Sequence, residues 1–284
     1  MTTPIILCAD DYALTPGISR AIRDLAGLGR LSATSVMTVS PYWEAEGSRL
    51  RDLARGLVGR FSVGLHFTLT DLKPLTELPN LAPRGDFPGL GAVMGQALLR
   101  RLSADEVGRE LNAQIDRYEA VMGASPAYLD GHHHVHQLPV VREAVLETVR
   151  RRLGPNAYVR LCDEPALGIW RRGISVPRAL VISMLGRRFA HRARADGLRG
   201  NSGFRGVRDF DERENVARLF DAYLSAPQAN MMIMCHPGIV EAAAGIDDDI
   251  HALRPFEYEY LKSDAFGELM DRRNVALVPP GEAQ

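Results

Sequence analysis

The chain has 284 residues, of which 34 are lysine or arginine and 35 are aspartate or glutamate, and 46% of its residues are hydrophobic. This composition is typical of a folded globular protein, and it excludes a largely disordered chain, a collagen-like repeat and a coiled coil. The formal net charge of −1 gives the chain as a whole no attraction for nucleic acid or for membranes. The length allows one or two domains, and a single α/β barrel of about 250 residues also fits it.

Cysteine content and hydropathy favour a cytoplasmic protein. Cys8, Cys162 and Cys235 are far apart and odd in number, so they predict neither a disulfide framework nor a thiolate zinc site. The first residues lack the basic and apolar segments of a secretory signal. No uninterrupted apolar run approaches the roughly 18 residues that a transmembrane helix needs.

In chain order, short apolar segments alternate with segments of helical pattern. The predicted strands span residues 4–9, 34–39, 61–69, 128–129, 158–162, 230–235 and 275–278. Three helices are predicted. One spans about 15–28, a second begins at the capping box of Ser103 and Glu106, and a third spans about 139–152. The segment 74–91, rich in proline and glycine, is predicted to be a loop. The repeated strand–loop–helix units indicate an α/β fold with a parallel sheet and outer helices.

Ionisable residues directly follow several predicted strands or lie at their ends. They are Asp10, Asp11, His66, His132 and His236. The carboxyl ends of parallel strands meet at one rim of such a fold, and ligands bind there. We therefore expect these side chains to share one site.

Each of these residues also has a purely structural interpretation. Asp10 and Asp11 could cap the next helix or face water, because neighbouring side chains of a regular strand point to opposite faces. His66 interrupts an apolar strand, where a lone histidine is more often a core residue with a hydrogen-bond partner. The turn that begins at His236 could serve only to redirect the chain. Together, however, the residues supply the ligands, the base and the acid that a hydrolytic metal site requires.

The tract His132-His133-His134-Val135-His136 is the strongest of the separate signals. Four imidazoles within five residues, at a strand-to-helix junction, favour a divalent metal ion. Geometry allows only one or two of them to reach the same ion. The others could orient substrate or bond to backbone carbonyls.

These motifs resemble those of the YdjC-like carbohydrate deacetylases. The resemblance rests on Ala9-Asp10-Asp11-Tyr12, on Gly64-Leu65-His66-Phe67-Thr68-Leu69-Thr70 followed by Lys73-Pro74-Leu75, on Leu129-Asp130-Gly131 with the histidine tract, and on His236-Pro237-Gly238. The motifs occur in the family's order and cover about residues 4–160 and 230–262. Two departures concern the pocket wall. Tyr12-Ala13 stands where the family usually has Phe-Gly, and Gly131 stands where it usually has serine.

The resemblance implies a TIM-barrel-like (β/α) barrel, regular or distorted, that holds one divalent metal ion, Mg²⁺ or Zn²⁺. Carried onto this chain, it assigns Asp11, His66 and His132 as the metal ligands. Asp10 would be the general base toward the attacking water, and His236 the acid toward the leaving amine. Which of the two aspartates binds the metal stays open at this point.

Further residues receive roles around that centre. Arg160 could pair with Asp10 or with substrate and lower the pKa of the aspartate, or it could be a surface arginine on an edge strand. His133 and His136 are candidate substrate-binding residues, and His134 is a candidate supporting neighbour.

The arginine-rich segment, residues 170–208, is a feature that the family motifs do not cover. It contains ten arginines and a single acidic residue, Asp196. We expect a helical insertion that covers the mouth of the site, with Arg187 and Arg188 binding an anionic substrate such as a phosphorylated or lipid-linked sugar. Peripheral contact with anionic lipid is an alternative, and so is a solvated helix at a homodimer interface.

The sequence thus predicts a single-domain hydrolase, residues 1–284, that removes the acetyl group of an N-acetylated sugar with the help of one metal ion. The alternative enzyme is a metal-dependent phosphoesterase on a similar barrel. The alternative outside enzymes is a non-catalytic relative that binds carbohydrate or membranes. Nucleic acid is not an expected partner, because aromatic residues are sparse among the arginines.

Overall fold

The structure, a computed structural model, describes residues 2–154, 157–211, 213–241 and 248–282. A curled parallel β-sheet forms its centre, with helices packed around it. The strands are β1 (Thr3–Tyr12), β2 (Ala33–Val36), β3 (Ser62–Phe67), β4 (Tyr128–Gly131), β5 (Tyr158–Val159), β6 (Arg199–Gly200), β7 (Gly203–Arg205), β8 (Met231–Cys235) and β9 (Val275–Leu277).

The helices lie between and outside these strands. They are α1 (Pro16–Gly27), α2 (Trp43–Gly56), α3 (Leu90–Leu98), α4 (Ala104–Met122), α5 (Val141–Arg152), α6 (Ala166–Arg172), α7 (Val176–Ala195), α8 (Val216–Tyr223), α9 (Arg254–Lys262) and α10 (Asp264–Arg273). A 3-10 helix, His132–Gln137, directly follows β4. Among the described residues, no helix combines the length and the apolar character needed to cross a bilayer.

β1 lies in the middle of the sheet. The hydrogen-bonded order is β6-β5-β4-β3-β2-β1-β8-β7, and β9 pairs with the first residues of β1. The described pairs are all parallel. Every residue of β1 from Ile5 to Tyr12 is buried, because the sheet is covered on both faces. This explains why the strand is a nearly continuous apolar run rather than an alternating pattern.

The predicted α/β class, with a parallel sheet and outer helices, is confirmed. The strands do not close into the ring of a TIM barrel, since no ladder joins β6 to β7 in the described part of the chain. The sheet is therefore a half-barrel, which the TIM-barrel expectation describes only coarsely. The rim at the carboxyl ends of the strands exists in both arrangements.

Local sequence sets two helix starts where they were predicted. Thr15 accepts a hydrogen bond from the amide of Ile18, and Pro16 occupies the first turn of α1. Ser103 accepts a hydrogen bond from the amide of Glu106 at the start of α4, which is half of the predicted capping box.

Other boundaries differ from the prediction. β2 ends at Val36 and β3 at Phe67, so both strands are shorter than the apolar runs that predicted them. The predicted loop ends at Gly89, the N-cap residue of α3. α5 begins only at Val141, because the backbone of Val140 has a φ of 71°, which a right-handed helix does not allow.

The arginine-rich segment supplies part of the sheet itself. Besides α7 it contains β6, which pairs with β5, and β7, which pairs with β8. The predicted helix is present as α7, but the segment as a whole is not an insertion outside the sheet. The correction has a simple cause, since the two strands are too short to show an apolar pattern in the sequence.

Candidate metal centre

The strand order brings the predicted site residues to one rim. His66 on β3 is the register partner of Asp130 on β4. Asp10 and Asp11 lie near the end of β1, and His236 directly follows β8, the neighbour of β1 on the other side. Residues that are far apart in the sequence therefore meet where the parallel strands end.

The backbone of Asp11 adopts a left-handed conformation, with φ of 66°. This conformation is uncommon for a residue other than glycine and often marks a functional site. It lets two adjacent carboxylates face the same rim, which a regular strand does not allow. Oδ1 of Asp11 lies 3.0 Å from Nδ1 of His132 and 3.3 Å from Nε2 of His66.

Asp11, His66 and His132 form a group that fits a metal ion. One ligand atom from each lies within 4.8 Å of the other two. One carboxylate and two imidazoles suit a divalent transition metal. Nδ1 of His66 lies 2.6 Å from Oδ1 of Asp130, and such a carboxylate orients the ring and leaves Nε2 for the metal. The three predicted ligands are thus brought together, while metal binding itself stays a prediction.

The charges around this group favour a cation. Burial lowers the pKa of His66, but the carboxylates of Asp130 and Asp10 outweigh it and raise the pKa to about 10. Burial raises the pKa of Asp11, but Arg254 and His132 hold it well below the usual range. In the metal-free protein His66 therefore holds a proton that a bound metal ion would displace.

Arg254, at the start of α9, is a site residue that the sequence analysis missed. Its Nη2 donates to Oδ2 of Asp11 at 2.7 Å, and its Nε donates to Asp248 at 2.7 Å. A Cβ at Gly238 would lie 3.0 Å from the Cβ of Arg254, so the glycine of the His-Pro-Gly turn leaves room for this arginine. Its local sequence contains no signal that sets it apart from the other basic residues.

Asp10 forms a two-point ion pair with Arg160. Nη1 and Nη2 of Arg160 lie 2.6 and 2.5 Å from the two carboxylate oxygens of Asp10. Nη2 also lies 2.5 Å from Oδ2 of Asp130, and all three side chains are buried. Burial raises the pKa of Asp10, but Arg160 outweighs it and holds the pKa well below the usual range. Arg160 is therefore a buried partner of Asp10 and not the surface arginine of the alternative interpretation.

His236 lies at the rim beside the two aspartates. Its backbone amide donates to Oε2 of Glu257 at 2.5 Å, which holds the turn in place. Its Nδ1 is buried and has no hydrogen-bond partner among the described residues. Burial lowers the pKa of His236, although the carboxylates of Asp11 and Asp10 oppose that effect. The ring is therefore neutral near pH 7.

The other histidines of the tract have different surroundings. His133 is partly exposed, and its Nδ1 lies 3.2 Å from Oγ1 of Thr70. His134 is directed toward Cys162, with 3.8 Å between Nδ1 and Sγ. His136 is fully buried, and its Nε2 donates to the backbone oxygen of Arg160 at 3.2 Å. His133 is exposed enough to meet a substrate, whereas the ring of His136 is fully buried, so its substrate contact stays a prediction.

Arg187 and Arg188 are exposed on α7. Among the described residues, no hydrogen bond or ion pair joins either of them to the metal-ligand group. The side of α7 that faces the histidine tract presents Gly186 and Phe189 instead, and the ring centroid of Phe189 lies 5.1 Å from that of His136. The structure thus does not bring the two arginines into the site.

Asp71 is a further residue that the sequence analysis missed. Its Oδ2 lies 3.6 Å from Nε2 of His132 and 3.4 Å from Nδ1 of His133, so these three side chains form a second group of possible ligands. Its backbone φ is 67°, again in the left-handed region. The only signal in the sequence is its position shortly after a predicted strand.

Residues of the loop from Pro74 to Gly85 line a partly open pocket of about 520 Å³. None of the metal-ligand group lines it. Two buried carboxylates on α4 hold the loop: Glu110 accepts from the amide of Thr76 at 2.9 Å, and Glu106 accepts from the amide of Asn80 at 3.1 Å. The loop is therefore fixed to α4, although its sequence predicts only irregular structure.

Comparisons with known proteins identify the relatives of this chain. A family model described as YdjC-like protein matches residues 4–272. The chitooligosaccharide deacetylase of Salmonella typhimurium LT2 is 28% identical over 249 residues, which are 85% of this chain and 84% of that protein. That of Enterobacter sp. strain 638 is 33% identical over 149 residues, 52% of this chain, and the match spans only 56% of that relative.

A structural comparison finds the same fold in a solved structure. It is a crystal structure from Enterococcus faecalis V583, described as that of a candidate cellobiose-phosphate cleavage protein. It superimposes with a TM-score of 0.73 at 21% identity and covers 98% of each chain.

Proposed function

The chain belongs to the YdjC-like protein family, and on that premise we propose that it is a metal-dependent carbohydrate deacetylase. Its substrate would be an N-acetylated sugar, and its products the free amino sugar and acetate. The relatives from Salmonella typhimurium and Enterobacter, which are named chitooligosaccharide deacetylases, support this reaction. The observation that carries the proposal is the meeting of Asp11, His66 and His132 beside the ion pair of Asp10 and Arg160.

In this proposal Asp11, His66 and His132 hold a single divalent ion. When bound, the ion would supply a positive charge that polarises the acetamide carbonyl and makes water more acidic. Two imidazole ligands favour Zn²⁺ or another transition metal over Mg²⁺, which prefers oxygen ligands. The burial of Asp11 and His66 strengthens every charge interaction at this place, because little water screens it.

Asp10 accepts the proton of the attacking water. Because Arg160 lowers its pKa, the carboxylate is ionised throughout the neutral range and is able to accept. Arg160 also bonds to both oxygens, so the carboxylate is held in one orientation before substrate binds. Asp130 shares the same guanidinium and ties this pair to His66.

His236 donates a proton to the leaving amine. It lies at the end of β8, so Asp11 on β1 lies between it and the two histidine ligands in the order of the strands. Because burial lowers its pKa, the ring is neutral before the reaction, so it takes up the proton that Asp10 removes from the water and passes that proton to the amine. Once protonated it is a stronger acid than an exposed histidine, which favours transfer to the amine.

The exposed part of the rim is the proposed place for the sugar. His133 is partly exposed there and lies 3.4 Å from Asp71, so both side chains are available for hydrogen bonds to hydroxyl groups. We expect them to contribute to substrate affinity rather than to the chemical step.

A phosphoesterase reaction at the same centre is the alternative. Such enzymes often use two metal ions, and the group of Asp71, His132 and His133 shares a ligand with the first group. The number of bound metal ions therefore separates the two proposals. One ion per chain supports the deacetylase, and two support the phosphoesterase.

Acetate release from chitooligosaccharides tests the proposed function. The protein is stripped of metal with a chelator, reloaded with Zn²⁺ or Mg²⁺, and assayed in parallel with a phosphate ester. We expect acetate only from the reloaded protein and no phosphate from the ester. Release of phosphate without acetate would contradict the proposal.

Two variants complete that experiment. Asp11→Asn should lose both bound metal and acetate release, because the amide is a poorer ligand than the carboxylate. Asp52→Asn is the matched control, since Asp52 is an exposed aspartate on α2 with 66% of its side chain accessible. It should keep both properties.

A further inference from the structure

Helices α6 and α7 both carry exposed apolar and basic side chains. We name the surface formed by these side chains the basic–apolar face. Its apolar members are exposed by 48–64%: Leu167 59%, Trp170 64%, Val181 48% and Met184 62%. Its basic members are exposed arginines, namely Arg171, Arg187, Arg188 and Arg192. Single exposed hydrophobic residues are ordinary, but a group of large ones beside unpaired charges marks an interaction surface.

Among the described residues, the arginines of the basic–apolar face have no acidic partner. Other arginines of the same segment are paired: Arg172 with Glu164, Arg194 with Asp163, and Arg208 with Glu257. In the described part of the chain, no ion pair or side-chain hydrogen bond involves Arg171, Arg187, Arg188 or Arg192. The positive charge of this face is therefore left for a ligand outside the chain.

Each of the two helices exposes these residues and buries others in a shared apolar cluster. Ile169 of α6 and Ala179 of α7 are buried in one cluster with Phe204. On α7 the exposed Val181, Met184 and Arg188 recur at helical spacing, on the side opposite the buried residues. The basic–apolar face is accordingly the outer surface of a helix pair whose inner surface is packed on the sheet.

We propose that the basic–apolar face docks on the surface of an anionic lipid bilayer. Arginine forms paired hydrogen bonds with phosphate groups and keeps its charge at any physiological pH. Tryptophan and methionine beside it can enter the head-group region, and long basic side chains reach back to the phosphates. Apolar side chains and cations on one helical face are what binding at such an interface requires.

Other occupants fit this face less well. A second copy of the chain, related by a two-fold axis, would set the same four arginines against each other. A single-stranded nucleic acid would find one aromatic side chain, Trp170, and would leave Leu167 and Met184 in water.

Docking would place the bilayer one helix away from the candidate metal centre. The inner side of α7 contacts the 3-10 helix, where a Cβ at Gly186 would lie 2.7 Å from Oε1 of Gln137. That 3-10 helix also bears His132 and His133. The docking proposal does not depend on the proposed deacetylase reaction, because binding to vesicles is measured without substrate.

Co-sedimentation of the full-length protein with vesicles tests the proposal. One set is pure phosphatidylcholine, and the other is an equal mixture of phosphatidylcholine and phosphatidylglycerol. We expect binding to the anionic set only, and weaker binding as salt rises. The double variant Arg187→Gln/Arg188→Gln should partition roughly 30-fold less, since each basic residue near an anionic surface contributes about fivefold.

A matched control distinguishes this face from general attraction. Arg100 and Arg101 are also exposed and follow the exposed Leu98 and Leu99 at the end of α3. Arg100→Gln/Arg101→Gln removes the same charge and should leave vesicle binding unchanged. Trp170→Ala/Met184→Ala should weaken binding, while Leu98→Ala/Leu99→Ala should not.

Several results would overturn the proposal. They are absence of binding by the unaltered protein, equal binding to neutral and anionic vesicles, and an equal loss in the control variant. Light scattering covers the remaining case: if Arg187→Gln/Arg188→Gln changes the oligomeric state and not vesicle binding, the face is an interface between copies of the chain.

Discussion

The two carboxylate oxygens of Asp11 have different partners. Oδ2 accepts from Nη2 of Arg254 at 2.7 Å, and Oδ1 lies 3.0 Å from Nδ1 of His132. The arginine comes from a position 243 residues later in the chain. It occupies one oxygen with a permanent positive charge, so the other is oriented toward the histidines. We infer that Arg254 holds the carboxylate of Asp11 in the orientation in which Oδ1 faces the histidines.

Replacing this arginine is expected to weaken metal binding. Arg254→Gln should lower the affinity by about 10–100-fold, because residues that orient a ligand typically contribute that much. Competition with a coloured chelator measures the affinity. Arg55→Gln, an exposed arginine on α2, is the control and should bind metal as the unaltered protein does. Equal affinities in the two variants would show that Arg254 serves only the fold.

Replacing Asp10 is expected to lower the rate of the reaction, whereas replacing Asp11 is expected to abolish metal binding. Asp10→Asn should lower kcat by about 10²–10⁴-fold, the usual contribution of a general base, and should keep the bound metal. Metal analysis of the purified variants, together with acetate release, separates this from Asp11→Asn, which should lose the metal. Loss of metal in Asp10→Asn instead would mean that the two roles are exchanged.

At position 131, where the family usually has serine, this chain leaves no room for a side chain. A Cβ at this position would lie 2.9 Å from Nδ1 of His136 and 3.0 Å from its backbone nitrogen. Gly131→Ala should therefore displace the 3-10 helix and cost about 1–3 kcal/mol in the free energy of unfolding. Denaturant titration measures this cost. Gly108→Ala on α4 is the control, because nothing lies within 4 Å of its Cβ, and it should stabilise the protein slightly.

Burial of His136 makes stability depend on pH. It lowers the pKa from 6.5 to about 4, so between these values the unfolded chain binds a proton that the folded chain does not. The free energy of unfolding should fall as the pH is lowered from 6.5 to 4, by about 3 kcal/mol from this residue, and level off below. His136→Gln should flatten the slope in denaturant titrations of metal-free protein.

Much of the site could be predicted because its residues follow strands. An apolar run predicts a strand, and the ionisable residue that follows the run is then expected at the end of that strand. Asp10-Asp11 and His236 are predicted in this way. The register of β3 and β4 then explains how Asp130 comes to support His66. The predicted metal ligands needed no information beyond these local patterns and the family resemblance.

What could not be predicted depends on contacts between distant elements. Arg254 reaches Asp11 because α9 packs on α1 and α1 packs on β1. No local sequence pattern predicts these contacts. The two-residue strand β6 is held by its neighbour rather than by its own propensity. His136 belongs to the same histidine tract as His132, and it differs from His132 in its partner, since its Nε2 bonds to the backbone oxygen of Arg160 and not to Asp11.

The strand that bears Asp10 and Asp11 takes its partners from both ends of the chain. β2 follows it closely, but β8 and β9 begin only at Met231 and Val275. On the ribosome, β1 therefore emerges first and keeps one open, apolar edge until almost the whole polypeptide has been made. Contacts so distant in the sequence form slowly, so we expect newly made chains to depend on chaperones that bind extended apolar segments. A product truncated before β8 would contain every proposed metal ligand and still lack the support of the strand that carries the first of them.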